Sequence, residues 1–256
     1  MTTYARYLAH GDVAYGVVRD DSVHELTAAP YEDHEVTDHT HALSDVKLLA
    51  PVVPGKVVAI GLNYRSHLGD RTPPSVPEPF FKTTSSVVGP GDDIVIPREA
   101  IEENVTMQPE AELALIIGKK ARRVSAGDAL DYILGFTCGN DVSARNWQAN
   151  DLSWWRAKSS DTFTPLGPVI VSGLDPSSLH LVGRINGVVD QEQMTSDLLY
   201  GVPEIIEFVT RVLTLNPGDV IMTGTPGTPG DIHDGDVVEV EIDGIGTLTN
   251  TVRNEA

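Results

Sequence analysis

One stretch of the sequence organises the fold, EAELALIIG at residues 110–118. Beyond Glu112 both alternating sets of side chains are apolar, which predicts a strand buried on both faces. Because alternate side chains of a strand share a face, Glu110 and Glu112 project to the same side, about 6.6 Å apart along the strand. Two carboxylates entering such a core repel each other and lose hydration, so they need a cation or strong hydrogen-bond donors nearby.

A third carboxylate, Asp141, follows another short apolar run, residues 132–136, and is placed to come from the end of a neighbouring strand. Three oxygen ligands without histidine or cysteine favour Mg²⁺, Mn²⁺ or Ca²⁺ over zinc. A competing interpretation is a strand end with solvated acidic side chains, because Glu-x-Glu is a common pattern. Spacing alone does not separate these two interpretations.

The composition is that of a globular protein of 256 residues, long enough to bury a sizeable core. With 37 acidic and 18 basic residues its formal charge is −19, which argues against nucleic acid and anionic membranes as partners. No apolar run approaches the roughly 18 residues of a membrane span, and no signal-like stretch follows Met1, so we expect a cytoplasmic protein. Cys138 is the only cysteine, which excludes an intrachain disulfide and indicates a small buried core residue.

Turn signals divide the chain into short strands, which predicts an α+β fold that is mostly β with a few short helices. We expect a small N-terminal β subdomain at residues 1–54 and a catalytic domain at residues 55–256. Helices are predicted at 125–134, after a capping-box pattern, and at 203–213, where an apolar stripe repeats with helical spacing. Prolines cluster between residues 73 and 79, which predicts an irregular loop that could cover a site.

Five blocks along the chain resemble the sequence pattern of the fumarylacetoacetate hydrolase family, in the family's order. These blocks are Gly61 to His67, Glu110 to Ala114, Gly139 to Arg145, Arg156 to Phe163, and Pro217 to Pro226. The likeness covers residues 55 to 253. It implies a mixed β-roll or barrel around a Mg²⁺ or Mn²⁺ ion, with Ca²⁺ as a further option, usually in a homodimer.

The resemblance also assigns roles to individual residues of this sequence. The implied metal ligands are Glu110, Glu112 and Asp141. The implied substrate-binding residues are Lys82, Gln148 and Thr225. The implied catalytic residues are Lys158 and a water-activating dyad, His67 and Asp70, on a mobile lid. Many family members carry glutamate where this sequence has Asp70, which is one methylene shorter.

A divalent ion that chelates an α-keto acid or 1,3-diketone stabilises the enolate formed when the neighbouring C–C bond breaks. Lys158 would stabilise the developing negative charge, and His67, oriented by Asp70, would take a proton from the attacking water. We therefore expect a Mg²⁺- or Mn²⁺-dependent hydrolase that cleaves a C–C bond. Its small-molecule substrate would be an acylpyruvate-like or fumarylacetoacetate-like 2,4-diketo acid.

Three alternatives stay open at this point. An oxaloacetate-type decarboxylase uses the same metal–enolate chemistry but releases carbon dioxide and needs no water. A 2-hydroxyhepta-2,4-diene-1,7-dioate-type isomerase only reprotonates the enolate. The third alternative belongs to another class, a non-catalytic binding protein that keeps the metal-stabilised scaffold.

Overall fold

The computed structural model describes residues 1–256, and short strands dominate it. The strands of the N-terminal half are β1 (Thr2–Ala9), β2 (Asp12–Arg19), β3 (Ser22–Leu26), β4 (Val36–Ala42), β5 (Lys47–Leu48), β6 (Val57–Gly61), β7 (Glu78–Lys82), β8 (Val87–Val88), β9 (Ile94–Ile96), β10 (Met107–Gln108) and β11 (Ala111–Ile117). The remaining strands are β12 (Ile133–Asn140), β13 (Ser143–Ala144), β14 (Thr164–Ser172), β15 (His180–Ile185), β16 (Val188–Met194), β17 (Val220–Met222), β18 (Val237–Ile242) and β19 (Gly246–Asn254).

The helices are all short. The α-helices are α1 (Arg98–Glu102), α2 (Arg145–Asn150), α3 (Trp155–Ser159) and α4 (Val202–Thr210). Single 3₁₀ segments lie at Leu43–Asp45, Arg65–His67, Thr84–Ser86, Ala126–Tyr132, Pro176–Ser178 and Thr195–Asp197. None of these helices has the length and apolar character needed to cross a membrane. The predicted α+β fold, mostly β with a few short helices, is confirmed.

Two sheets form the framework. The larger has twelve strands and runs β4-β3-β2-β1-β14-β12-β11-β17-β6-β7, with β5 added beside β1 and β8 beside β14. The second has five strands in the order β16-β15-β18-β19-β9. The N-terminal strands are continuous with the larger sheet, because β1 pairs antiparallel with β14 through Tyr4 and Ile170.

The strand β11 lies at the centre of the fold, as the apolar pattern of its sequence predicts. All seven of its residues are buried. One face, carrying Leu113 and Leu115, packs into the large core that the second sheet and α4 also enter. The opposite face, carrying Ala114 and Ile116, packs in a separate apolar cluster with the neighbouring strands β6 and β17. Because it is packed on both faces, β11 holds Glu112, and Glu110 just before it, in a defined position.

One predicted helix is confirmed as an α-helix, and the other forms only a shorter 3₁₀ helix. The apolar stripe at 203–213 forms α4, with Pro203 in its first turn. The predicted helix at 125–134 is instead a 3₁₀ segment that ends at Tyr132, where β12 begins. The Ser125 hydroxyl donates to the Asp128 carboxylate at 2.7 Å and caps no backbone amide. Ile133 then pairs with Ile117, so the β-ladder overrides the local helical pattern.

Candidate active site

The three carboxylates predicted as metal ligands meet where β11 begins and β12 ends. These strands are antiparallel and pair Ala111 with Asn140, which places Glu110, just before β11, beside Asp141, just after β12. The Asp141 amide donates to the Glu110 carbonyl at 2.9 Å. One carboxylate oxygen from each of Glu110, Glu112 and Asp141 lies within 4.8 Å of the others, and all three residues are at most 4% exposed.

Two buried lysines compensate part of this negative charge. The Lys158 ammonium donates to Glu110 at 2.6 Å, to Asp141 at 2.7 Å and to the Ser143 hydroxyl at 2.6 Å. Lys82 donates to the other Asp141 oxygen at 2.5 Å and to the Lys158 carbonyl. Burial lowers the pKa of Lys82 below its usual range despite Asp141. Burial also acts on Lys158, but Asp141 and Glu110 outweigh it and raise its pKa.

Arg145 is a site residue to which the sequence analysis assigned no role. Its guanidinium lies 2.6 Å from Glu110 Oε1 and donates to Gln148 at 2.8 Å and to Gln108 at 2.6 Å. It begins α2, four residues after Asp141. Two signals in the sequence could have found it: this short spacing from a metal-ligand candidate and its place at the end of the Gly139 to Arg145 block.

Glu112 lacks the cationic partner that the other two carboxylates have. The only hydrogen bond to the Glu112 carboxylate comes from the Gly224 amide, at 2.7 Å. Burial, with the charges of Asp141 and Glu110, raises the pKa of Glu112 well above its usual range. Burial also acts on Glu110, but Lys158, Arg145 and His67 outweigh it and hold its pKa below the usual range. Negative charge is therefore left uncompensated at Glu112.

This donor set fits a divalent cation. Two oxygens bound to one ion at about 2.1 to 2.4 Å can lie up to about 4.2 to 4.8 Å apart, which covers the spacing of the three carboxylates. All three donors are carboxylate oxygens, the ligands that hard divalent cations prefer. A cation would also balance the repulsion between the buried carboxylates that raises the Glu112 pKa.

His67 reaches the site, but its predicted partner does not. His67 Nδ1 lies 2.6 Å from the Gly227 carbonyl, which can only accept, so Nδ1 carries a proton. Nε2 lies 3.7 Å from Glu110 Oε1. Asp70 is exposed and forms no hydrogen bond or ion pair, so the predicted dyad is not formed in this structure. Gly69 turns the chain with φ of +58°, and the Gly227 carbonyl occupies the ring nitrogen that the acid would orient.

A cavity of about 490 Å³ opens over the carboxylates. Seven of the predicted site residues line it: His67, Glu110, Glu112, Asp141, Gln148, Lys158 and Thr225. Two do not, because Lys82 is buried behind Asp141 and Asp70 faces solvent. Phe80 and Trp154 form an aromatic wall, with their rings edge to face at 5.5 Å.

The loop of residues 62–77, hereafter the 62–77 loop, covers one side of the cavity and is held at two points. Near its start, buried Asn63 donates to the carbonyls of Tyr200 at 3.0 Å and Thr223 at 2.8 Å and accepts from the Tyr200 amide at 2.9 Å. Further along, the Tyr200 hydroxyl donates to the Pro74 carbonyl at 2.7 Å. The proline-rich part is irregular up to residue 77, as the sequence predicts, but Pro79 lies in β7 and the cavity is lined by earlier residues of the loop, between Leu62 and Arg71.

A buried glutamine joins the second sheet to the site. Gln191, on β16, donates to the Thr225 hydroxyl at 2.7 Å and to the Pro226 carbonyl at 2.6 Å. The side-chain carbonyl of Gln191 accepts from the backbone amide of Ala111 at 3.0 Å, and Ala111 lies between Glu110 and Glu112. Thr225 in turn donates to the Ala111 carbonyl at 2.8 Å. The sequence analysis missed Gln191, and no local pattern marks it.

Comparison with known protein families identifies the class to which this chain belongs. Residues 56–253 match the family profile of the fumarylacetoacetate hydrolase C-terminal domain, and residues 3–51 match that of the Rv2993c-like N-terminal domain. The first match spans most of the chain and includes every candidate site residue. The chain belongs to the fumarylacetoacetate hydrolase family, and members of this family are metal-dependent enzymes.

Two relatives match nearly the whole chain, one without a known activity and one named as a tautomerase. The chain is 46% identical to an uncharacterised protein of Archaeoglobus fulgidus, over 96% of this chain and 94% of the relative. It is 37% identical to the mitochondrial oxaloacetate tautomerase FAHD2A of Bos taurus, over 98% of this chain and 79% of that protein.

Two solved structures with the same fold are of an isomerase and a hydrolase. The crystal structure of 5-carboxymethyl-2-hydroxymuconate delta-isomerase from Mycobacterium smegmatis covers all of both chains, with a TM-score of 0.92 and 40% identity. Maleylpyruvate hydrolase from Sphingobium sp. SYK-6, in complex with manganese(II) and pyruvate, also covers all of both chains, with a TM-score of 0.82 and 28% identity. The protein is thus an enzyme of this family, and its relatives include tautomerase, isomerase and hydrolase members.

Proposed function

We propose that this enzyme moves a proton between carbon and oxygen of a 2-oxo acid, as a metal-dependent keto–enol tautomerase or isomerase. The observation that carries the proposal is the position of His67 Nε2, at the cavity wall and 3.7 Å from Glu110 Oε1. Because Nδ1 donates to the Gly227 carbonyl, Nε2 is the free basic nitrogen beside the carboxylates. A single base next to a cation site is sufficient for a proton shift.

Glu110, Glu112 and Asp141 would hold Mg²⁺ or Mn²⁺, with Ca²⁺ as the larger option. When bound, such an ion supplies Lewis-acid stabilisation of negative charge on the keto and carboxylate oxygens of the substrate. The Lys158 ammonium lies beside the same carboxylates and adds positive charge against the developing oxyanion. His67 takes the proton from the carbon next to the keto group and returns it to oxygen or carbon.

Two observations support a proton shift over an attack by water. Hydrolysis is helped by an acid that orients the base, and Asp70 makes no contact with His67. The relatives whose names describe a tautomerase and an isomerase are also somewhat more similar, at 37% and 40% identity, against 34% for the fumarylacetoacetate hydrolase of Exiguobacterium antarcticum and 28% for the maleylpyruvate hydrolase. Both point to the enolate as the species that the enzyme protonates, with no C–C bond cleaved.

Cleavage of a C–C bond in an acylpyruvate-like 2,4-diketo acid is the second candidate. The cavity of about 490 Å³ favours it, because this volume accommodates substrates longer than a four-carbon acid. Gln148 and Thr225 line the same cavity and offer hydrogen bonds to a longer substrate. Decarboxylation of oxaloacetate would use the same carboxylates and Lys158 but needs no base, and it is measured in the same assay.

The test compares oxaloacetate, an acylpyruvate and a 2-hydroxydienoate in heavy water with Mg²⁺, followed by NMR. We expect deuterium to enter the carbon next to the keto group faster than any C–C bond breaks, relative to Mg²⁺ without protein. Faster release of pyruvate from the acylpyruvate would make the enzyme a hydrolase, and faster pyruvate formation from oxaloacetate a decarboxylase. No acceleration of any of these reactions would leave the binding-protein alternative.

We also propose that the protein forms the homodimer that the family resemblance implies. The outer strand β7 and helix α3 pack together and expose Phe81, at 60%, and Trp155, at 67%. Exposed aromatic side chains on elements that pack together are typical of protein contact surfaces. Light scattering is expected to give a mass of two chains, and Trp155→Ser is expected to shift the mass toward one chain.

A further inference from the structure

One positively charged side chain of the cavity, Arg71, has no acidic partner. Three lysine or arginine side chains line it, Arg71, Arg145 and Lys158. Arg145 and Lys158 both form ion pairs with the carboxylates. The Arg71 guanidinium forms neither an ion pair nor a hydrogen bond, and only its backbone amide is bonded, to the Leu68 carbonyl at 3.1 Å.

Arg71 also lies where a second end of a substrate would be. It is exposed and belongs to the 62–77 loop, so it marks the outer part of the cavity, whereas the three carboxylates are buried at the inner end. The loop is tethered on both sides of it, at Asn63 and at Pro74. Arg71 is therefore presented at the mouth by an anchored segment.

The charges at the two ends of the cavity restrict where a second carboxylate of a substrate can bind. A distal carboxylate at the inner end would compete with the keto group and its neighbouring carboxylate for the divalent ion that Glu110, Glu112 and Asp141 would hold. The neutral side chains Gln108 and Gln148 also line the cavity, and they can donate hydrogen bonds but cannot balance a charge. A guanidinium matches a carboxylate with two parallel hydrogen bonds.

We propose that Arg71 binds the distal carboxylate of the substrate, and that the substrate class is therefore the dicarboxylic 2-oxo acids. This inference rests on the proposed function. The keto group and its neighbouring carboxylate occupy the inner end, and the second carboxylate reaches Arg71. Arg71 is then a specificity-determining residue, since a monocarboxylic 2-oxo acid gains nothing from it.

The test measures Mg²⁺-dependent deuterium exchange at C3 of oxaloacetate and of 2-oxobutanoate, which lacks the distal carboxylate. The readout is the ratio of the two kcat/KM values. Arg71→Met is expected to lower this ratio by roughly 10- to 100-fold, the worth of one charge-assisted hydrogen bond, and Arg71→Lys by less. The matched control is Arg65→Met, an exposed arginine in the same loop that does not line the cavity.

An unchanged ratio in Arg71→Met would overturn the inference, as would an equal loss in Arg65→Met, because that would indicate general electrostatic attraction. If the wild-type protein exchanges neither compound, the proposed function fails, and calorimetric titration with the same two compounds decides on Arg71. Weaker oxaloacetate binding in Arg71→Met alone would then support the subsite without the reaction. Equal affinities in Arg71→Met and wild type would reject it.

Discussion

The Gln191 side chain donates a 2.7 Å hydrogen bond to the Thr225 hydroxyl and so ties β16 of the second sheet to the loop that lines the cavity. The same amide accepts from the Ala111 amide, which lies between Glu110 and Glu112. The metal-ligand candidates and the cavity wall are thus hydrogen-bonded to one buried side chain that does not itself line the cavity.

Gln191→Leu is expected to destabilise the protein by about 2 to 3 kcal/mol, because three hydrogen bonds disappear and the Ala111 amide stays buried without a partner. The same change is expected to lower kcat/KM, since Thr225 loses its orientation. Denaturant unfolding and steady-state kinetics measure the two effects. Glu192→Gln, at an exposed position of the same strand, serves as the control. Wild-type stability in Gln191→Leu would contradict this role.

Removal of the divalent ion is expected to abolish activity, and Mg²⁺ or Mn²⁺ is expected to restore it, with zinc a poor substitute. Bound ion should also raise the melting temperature by mass action. Asp141→Asn is expected to lose both responses. Differential scanning calorimetry and activity with and without chelator provide the measurements. Full activity in metal-free protein would refute the metal site.

Glu112 gives metal-free protein a defined pH dependence. Its pKa is raised in the folded state well above the ordinary value of about 4.5, so folding favours the protonated carboxyl. The stabilisation is complete below about 4.5 and is lost as pH rises toward the folded pKa. We expect metal-free wild type to lose stability over this range and Glu112→Gln to lose less. At pH 7 the variant should be the more stable of the two without metal and should gain less from adding it. Parallel pH profiles of the two proteins would contradict this prediction.

Lys158→Met keeps the apolar stem and removes the charge that bridges Glu110 and Asp141. We expect a lower kcat, because the developing oxyanion loses a positive charge, and a metal-free protein that is less stable by about 3 to 5 kcal/mol. Divalent metal should restore part of this stability. Lys120→Met, on the surface, is the control. An unchanged kcat with a raised KM would show that Lys158 only binds substrate.

His67→Ala is expected to reduce the proton-transfer rate by roughly 10²- to 10⁴-fold, the usual worth of a general base. Asp70→Asn is expected to stay near wild type, since Asp70 makes no contact with His67. Metal-dependent decarboxylation of oxaloacetate in His67→Ala should fall much less, because it needs no base. Equal losses in both reactions would mean that His67 holds the substrate or the 62–77 loop.

The sequence carries the part of the site that depends on local pattern. Glu110 and Glu112 became candidates because a strand puts alternate residues on one face and because β11 is apolar on both faces. Asp141 joined them on the assumption that neighbouring strands pair, and the family resemblance was needed to favour a metal site over solvated acids. Gln191 had no such signal, since its partners are 34 and 80 residues away along the chain. The pairing of Asp70 with His67 came from the family resemblance, and in this structure Gly69 turns the chain between them with φ of +58°.

The same limit explains why the helix predicted at 125–134 is a shorter 3₁₀ helix. The segment at 125–134 has a capping-box pattern and helical spacing, but Ile133 is already paired with Ile117 across the β-ladder. Local preference is a weak prior that tertiary pairing overrides. The helix α4 has no strand competing for its apolar stripe, which packs into the core, and it was predicted within a few residues.

The pairing of β1 with β14 has a consequence for folding. Strand β14 has β1 on one side and β12, the strand that leads to Asp141, on the other. Without the N-terminal strands, β14 would present unpaired amides and carbonyls, and such an edge invites association between chains. We therefore expect one cooperative unfolding transition for the whole chain and aggregation of a fragment that starts at residue 55. The N-terminal strands would then serve as a built-in safeguard against misassembly, independent of any part in the chemistry.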